Sequence, residues 1–249
     1  FIEEQGINAF WLTNKEETFS FYQNSDADWV IFGNTFAGAE QLNKKTALMQ
    51  HGIGPKQCYY DVSHNKTTVR FVEGEHRLQR LQALYPDGNF VDSGYAKLDP
   101  IFNQTMSHID LSRLGLDPSK KTLLYAPTFY PSSIECMSDS FPAHCEKFNI
   151  IIKPHFFSLF KQKYKKQRTK LQRWSEFKNV YVANEHDFDL TPFLAIADIM
   201  VSDASSAIFE FAALEKPVVW CDFYKLRWSY RGIFSFRLKS RLDEDIKYF

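Results

Sequence analysis

Ile196-Ala197-Asp198-Ile199-Met200-Val201-Ser202-Asp203-Ala204-Ser205-Ser206-Ala207-Ile208-Phe209-Glu210-Phe211 is the stretch from which the fold is read. Its first part closes on a short apolar run, the signature of a strand buried on both faces of a parallel sheet. From Ala207 to Leu214 the apolar residues lie all round, as in a core-packed helix. Ser205 and Ser206 therefore stand where a strand ends and a helix begins. Such a junction offers unpaired backbone N–H groups, the positive end of a helix dipole and two hydroxyls, a combination that suits a phosphate or pyrophosphate. The competing reading makes Ser205 a simple N-cap with Asp203 opening the turn. The stretch alone leaves both standing.

Upstream, short apolar runs recur at intervals. Ile7 to Leu12, Asp28 to Phe32, Lys45 to Gln50, Thr68 to Val72 and Asn89 to Gly94 read as strands, with helices at Glu16–Gln23 and Glu75–Tyr85. A second series comprises Thr122 to Ala126, Phe148 to Ile152, Val180 to Val182, Ile199 to Val201 and Pro217 to Trp220. Alternation of this kind predicts βαβ units and parallel sheets. A helix spanning Ile101 to Leu114 is expected to stop at Gly115, and Asp117-Pro118-Ser119-Lys120-Lys121 is the best linker. The economical architecture is two Rossmann-like lobes, residues 1–116 and 117–249, with a ligand in the crevice at the strand C-termini. Residues 1–12 begin partway through an element, so the N-terminal lobe is expected to be incomplete.

The 249 residues are 44% hydrophobic and 24% charged, which is globular and able to build a core. Thirty Lys and Arg balance thirty Asp and Glu, so no global field recruits nucleic acid. Cys58, Cys136, Cys145 and Cys221 form no C-x-x-C pair and read as reduced cytosolic thiols. No apolar run approaches the ~20 residues that span a bilayer. Phe160 to Trp174 reads as a helix, with seven Lys or Arg and no acid between Lys161 and Arg173. A solvated face beside the core is one reading of that run; an anionic membrane surface or polymer is the other.

Four polar signals each follow the end of an apolar strand: His51-Gly52-Ile53-Gly54, Thr128, Lys153-Pro154-His155, and Asp203 to Ser206. Gly52 and Gly54 leave room for a ligand to approach the backbone beside His51. An imidazole titrating near neutrality can take a proton from a hydroxyl nucleophile. Lys153 and His155, near the Ser205–Ser206 helix start, can offset charge on a departing phosphate. Transfer from a phosphate-bearing donor is the chemistry these residues fit. Neither a P-loop nor a G-x-G-x-x-G fingerprint occurs, and no G-x-S-x-G elbow. His144-Cys145 lacks further zinc-ligand spacing, and Asp187 with Asp189 reads as an acidic loop before a helix rather than a metal site. No metal and no cofactor is expected. Trp220, Tyr224, Trp228 and Tyr230 read as packing aromatics.

Taken together, His51-Gly52-x-Gly54, Ser93-Gly94-Tyr95-Ala96-Lys97-Leu98-Asp99, Tyr125-Ala126-Pro127-Thr128-Phe129, Lys153-Pro154-His155 and Asp203-x-Ser205-Ser206-x-x-Phe209-Glu210-Phe211 with Lys216-Pro217 resemble the CDP-glycerol glycerophosphotransferase family. The resemblance covers roughly residues 48 to 220. It implies a GT-B fold and an enzyme of teichoic acid or capsule synthesis, cytoplasmic and peripheral on the inner face of the cell membrane. Members move glycerol phosphate, or another polyol phosphate, from a CDP-linked donor to a lipid-linked or polymeric hydroxyl acceptor and release CMP. By that similarity His51 and His155 are catalytic, as the acceptor's base and the stabiliser of donor phosphates. Gly52, Gly54, Thr128, Lys153, Asp203, Ser205, Ser206 and Glu210 are the donor-binding residues.

The chain departs from the family pattern in several places. Ile53 and Gly54 replace the Thr-Pro of H-G-T-P, and Tyr130 stands where an Arg is common. Ala204 replaces a Tyr and Glu210 an Asp. The Gly-x-Pro-Arg-x-Asp stretch becomes Gly94-Tyr95-Ala96-Lys97-Leu98-Asp99. Such changes suit a subfamily with another polyol or sugar-phosphate substrate. The alternative in the same fold is a nucleotide-sugar glycosyltransferase or a UDP-sugar epimerase; a third reading is a silent lobe that only binds polymer.

Overall fold

Every strand pairing among the described residues is parallel, as the two series of apolar runs require. The computed structural model describes residues 6, 8–9, 12, 14–54, 57–60, 66–106, 108–203 and 205–223. They divide into two compact units, one ending at Tyr95 and the other beginning at Ala96.

The first unit contains α1 (Lys15–Asn24), β1 (Trp29–Phe32), β2 (Lys45–Leu48), β3 (Val69–Val72), α2 (Glu75–Leu84) and β4 (Phe90–Asp92), with strand order β1-β2-β3-β4. Asn14 starts α1 as a side-chain cap, its Oδ1 accepting from the Glu17 N–H at 2.7 Å. Val30, Phe32 and Leu48 bury against Phe19 and Tyr22 of α1, and Val72 and Phe90 bury against Leu81 of α2. The strand expected over Ile7–Leu12 lies largely outside the described residues.

The second unit contains α3 (Asp99–Phe102), β5 (Thr122–Tyr125), α4 (Phe141–His144), β6 (Asn149–Ile152), α5 (Phe156–Phe160), α6 (Lys165–Trp174), β7 (Val180–Val182), α7 (Thr191–Ile196), β8 (Ile199–Ser202), α8 (Ala207–Ala212) and β9 (Val218–Trp220). Its strand order is β7-β6-β5-β8-β9. The chain runs outward from β5 to one edge, then returns to β8 and runs to the other. The switch point therefore falls between β5 and β8, and in such sheets ligands gather outside the strand C-termini at that point. All four residues of β5 and of β6 are buried, which explains why Leu123-Leu124 and Ile150-Ile151-Ile152 read as unbroken apolar runs.

Two predicted helices are shorter than their patterns. The run Phe160 to Trp174 breaks at Lys161, whose backbone is extended (φ −74°, ψ 128°), and resumes after the 3-10 turn Gln162–Tyr164. Arg168 explains the break: its guanidinium donates to the carbonyls of Ser158 (3.4 Å) and Lys161 (2.9 Å), which a continuous helix would pair internally. The stretch from Ile101 to Leu114 forms α3 and a 3-10 turn at Leu111–Leu114, interrupted where Gln104 turns left-handed at φ 54°. Gly115 does stop it, at φ 75°. Tyr224, Trp228 and Tyr230 of the expected aromatic cluster lie outside the described residues, and Trp220 is 46% exposed.

Trp174 anchors the second core. It is fully buried, meets Tyr125 and Phe141 edge-on at 6.1 and 5.7 Å, and donates its indole N–H to the Asp139 carbonyl. Trp174→Ala is expected to lower unfolding free energy by about 3–5 kcal/mol in urea denaturation.

Candidate functional site

The C-terminal ends of β5, β6 and β7 and the start of α8 enclose a pocket of about 260 Å³ in the second unit. Ala126 and Pro127 line it; Lys153, His155 and Ser205 supply donors, and Asn184, Glu185 and Asp187 supply acceptors. Phe156, Phe160 and Phe188 border it and remain 56%, 57% and 73% exposed. Large exposed aromatics around a mainly apolar pocket with a few polar groups suit a binding surface. Three of the residues singled out in the sequence, Lys153, His155 and Ser205, thus meet in one place.

Asp203 lies beneath this pocket rather than on its surface. It is wholly buried. One carboxylate oxygen accepts from the Thr128 N–H at 2.7 Å, and the other accepts from the Ser133 N–H and hydroxyl at 2.7 and 2.8 Å. Ser133 also shares a 2.7 Å hydrogen bond with the Tyr125 hydroxyl. Burial outweighs the donors and raises the Asp203 carboxyl above its ordinary range. Asp203 therefore holds the segment from Thr128 to Ser133 to the switch point, and Thr128 takes part through its backbone. Nothing in the sequence pointed to Ser133.

Ser205 is the serine whose hydroxyl works at the junction, accepting from the Ala207 N–H at 3.3 Å. Ser206 stands at the N-cap of α8 without a side-chain cap; its carbonyl accepts from Phe209 and Glu210. The helix it opens has six residues, so the capping hydroxyl outweighs any long dipole. Glu210 is buried and pairs with Lys97 at 2.7 Å. It braces α8 from within. Lys153 is half-buried, and burial lowers the ammonium's pKa while Asp187 and Asp189 pull it back up.

The sequence reads Asp187 and Asp189 as an acidic loop before a helix rather than as a metal site. Asp187 accepts from the Tyr181 hydroxyl (2.7 Å) and the Asn184 N–H (2.8 Å), and Asp189 accepts from the Thr191 N–H (2.9 Å) at the start of α7. Both shape the pocket's acidic loop. Among the described residues no group of three or more His, Cys, Asp or Glu side chains is placed to hold a metal ion.

His155 caps α5: its Nδ1 accepts from the Phe157 N–H at 3.2 Å. An accepting Nδ1 carries no proton, so in the neutral ring the proton sits on Nε2, which is a donor. Phe129 and Phe156 hold the ring at 4.6 and 4.9 Å. Tyr130, at the position where the family pattern has Arg, instead buries with Tyr164 in the neighbouring aromatic cluster.

His51 belongs to the first unit, just past β2, and is exposed. Its Nδ1 lies 3.0 Å from the Gly33 carbonyl, which can only accept. The Nδ1 proton is thereby fixed and the neutral ring keeps its lone pair on Nε2, the opposite tautomer to His155. The loop that follows is held from below. Gly54, at φ 105°, presents its carbonyl to Arg77 at 2.6 Å, and Arg77 is locked by Glu73 (2.6 Å) and stacks on Tyr60 at 4.5 Å. Gly52 is buried in the same loop.

The basic run is only partly a free face. Lys170 donates to the carbonyls of Ile134 and Met137, Arg173 pairs with Asp139 at 2.7 Å, and Arg168 serves as described. Lys161, Lys163, Lys165 and Lys166 are exposed. No helix among the described residues is long and apolar enough to cross a membrane.

The model of the CDP-glycerol:poly(glycerophosphate) glycerophosphotransferase family matches residues 32–232. The teichoic acid poly(glycerol phosphate) polymerase of Bacillus spizizenii is 26% identical over 148 residues, 53% of this chain and 34% of that protein. The teichoic acid ribitol-phosphate polymerase TarK of Staphylococcus aureus is 26% identical over 178 residues, 65% of this chain and 33% of that one. The chain thus spans about a third of the length of these curated relatives. The solved wall teichoic acid polymerase TagF superposes with a TM-score of 0.57 at 14% identity, covering 84% of this chain and 55% of that one. This likeness establishes a GT-B-like α/β fold.

Asp203→Asn leaves donors facing an amide and is expected to cost about 2–3 kcal/mol of stability. Because the folded-state pKa is raised, the acid's contribution is greatest below the ordinary carboxylate range and declines as pH rises through the folded value. Urea denaturation from about pH 4 to pH 7 should show the gap between wild type and Asp203→Asn narrowing, since the variant lacks that titration.

Proposed function

The chain belongs to the CDP-glycerol:poly(glycerophosphate) glycerophosphotransferase family, and from that premise we propose that it transfers glycerol phosphate, or a related polyol phosphate, from a CDP-linked donor to a hydroxyl acceptor. The observation that carries this reading is the pair of opposite histidine tautomers. His51 keeps a lone pair on Nε2, as a base must, and His155 keeps a proton on Nε2, as a phosphate ligand must.

In this reading the acceptor hydroxyl gives its proton to His51 Nε2 as its oxygen bonds to the donor's distal phosphorus. The bond from that phosphorus to the bridging oxygen breaks, and CMP departs. The charge that builds on the departing phosphate is met by the Lys153 ammonium, the His155 Nε2–H and the Ser205 hydroxyl, which share one pocket. Asn184 and Asp187 across that pocket suit the ribose hydroxyls. Asp203 acts by positioning and has no part in the proton transfer.

The polyol is glycerol or ribitol, since both kinds of polymerase are among the relatives. The acceptor is a lipid-linked or polymeric hydroxyl of teichoic acid or capsule synthesis on the cytoplasmic side. Exposed Phe160 beside Lys161, Lys163, Lys165 and Lys166 gives the protein a face suited to anionic lipid.

Incubating the protein with CDP-glycerol, CDP-ribitol and UDP-sugars in turn tests the donor. Release of CMP from a CDP-polyol is expected, and release of UDP alone would replace this reading with the nucleotide-sugar one. His51→Ala is expected to slow CMP release by roughly a hundredfold or more, while CDP-glycerol affinity by calorimetry stays within about twofold. Unchanged turnover would remove His51 from its assigned role.

A further inference from the structure

Two residues on the loops around His51 carry polar atoms that nothing among the described residues answers. Oε1 and Nε2 of Gln50 and Oγ1 of Thr35 are shielded from solvent and make no hydrogen bond among the described residues. Buried polar groups are nearly always paired, so polar atoms of this kind call for an explanation. They sit on the loops that leave β1 and β2, neighbouring strands in register from Trp29 with Lys45 to Phe32 with Leu48. The Met49 N–H donates to the Phe32 carbonyl, and His51 closes onto Gly33, so these loops stay together past the strand ends.

Gln50 is also left-handed, at φ 53°. That conformation strains any residue with a side chain and suits glycine. A strained residue whose amide has no partner among the described residues, directly before the candidate base, is where a functional role for the side chain is sought.

We propose that Gln50 and Thr35 form a subsite for a vicinal polyol, the acceptor's terminal diol, with one hydroxyl on His51 and its neighbour on the Gln50 amide. The proposal rests on the reading of His51 as the acceptor's base. A hydroxyl both donates and accepts, and a carboxamide offers one group of each kind. Gln50 as a whole is only partly buried, so rotation of its side chain brings the amide to a ligand. The amide breaks no bond in turning and leaves an unfavourable burial behind. Such a subsite favours glycerol- or ribitol-type termini over a lone alcohol.

The whole protein carrying Gln50→Gly or Thr35→Val tests this, with CDP-glycerol as donor and a synthetic oligo(glycerol phosphate) as acceptor. Gln50→Gly is expected to melt a few degrees higher, because strain is relieved, and to raise the acceptor KM about tenfold, as for one lost hydrogen bond. The donor KM should stay put. Thr35→Val should raise the acceptor KM about threefold. In parallel, the Gln50 side-chain amide resonance, assigned by its loss in Gln50→Gly, should move on titration with glycerol. An acceptor KM unchanged in the better-melting Gln50→Gly variant overturns the subsite, as does an amide resonance unmoved by glycerol. A wild-type protein that releases no CMP overturns the transfer reading instead, and the glycerol titration then decides the subsite alone.

Discussion

A single buried carboxylate holds the candidate site of the second unit together. Asp203 leaves the end of β8 at the switch point and reaches across to the segment that leaves β5, taking donors from Thr128 and Ser133. Parallel strands fix where their C-termini lie, but the loops beyond them have no ladder to hold them. One charge accepting three hydrogen bonds supplies that restraint, and charge-assisted bonds of this kind are the strong ones. Its cost is desolvation, visible in the raised proton affinity of the group. Ser205 inherits its place from the same residue, since its N–H donates to the Asp203 carbonyl at 2.6 Å. The pocket's serine and the segment leaving β5 are thus tied to one residue.

The two histidines are set by backbone rather than by acidic neighbours. A carbonyl imposes one tautomer on His51 and an amide N–H imposes the other on His155. Neither device introduces a negative charge that would repel a phosphate-bearing ligand. A carboxylate in place of the Gly33 carbonyl would orient the ring equally well but would raise its basicity and hold its proton more tightly. A neutral orienter fixes the tautomer without adding a charge beside the ring.

Much of the fold was legible because the central strands are buried on both faces, and runs such as Ile150-Ile151-Ile152 have no other comfortable environment. Helix ends were less so. The break at Lys161 depends on Arg168 reaching back to carbonyls, and no periodicity encodes that. In the site, residue types at strand ends singled out Lys153, His155 and Ser205, which the parallel topology carries to one pocket. The role of Asp203 was not legible, because a buried acceptor and a ligand-facing one look alike in a motif. Ser133 and Arg77 were missed for a related reason: each acts through a backbone group whose position only the folded chain defines. The unusual backbone of Gln50 leaves no trace in composition.

The ion pair between Lys97 and Glu210 joins two of the places where the chain departs from the family pattern, Arg to Lys and Asp to Glu. Lysine extends a shorter head than arginine, and glutamate reaches one methylene further than aspartate. The two changes offset each other in length and preserve the sign at each end. Exchanging one of them alone would leave the interior acid either crowded or unreached. Donor preference read from either residue by itself would overlook that the two act as one pair.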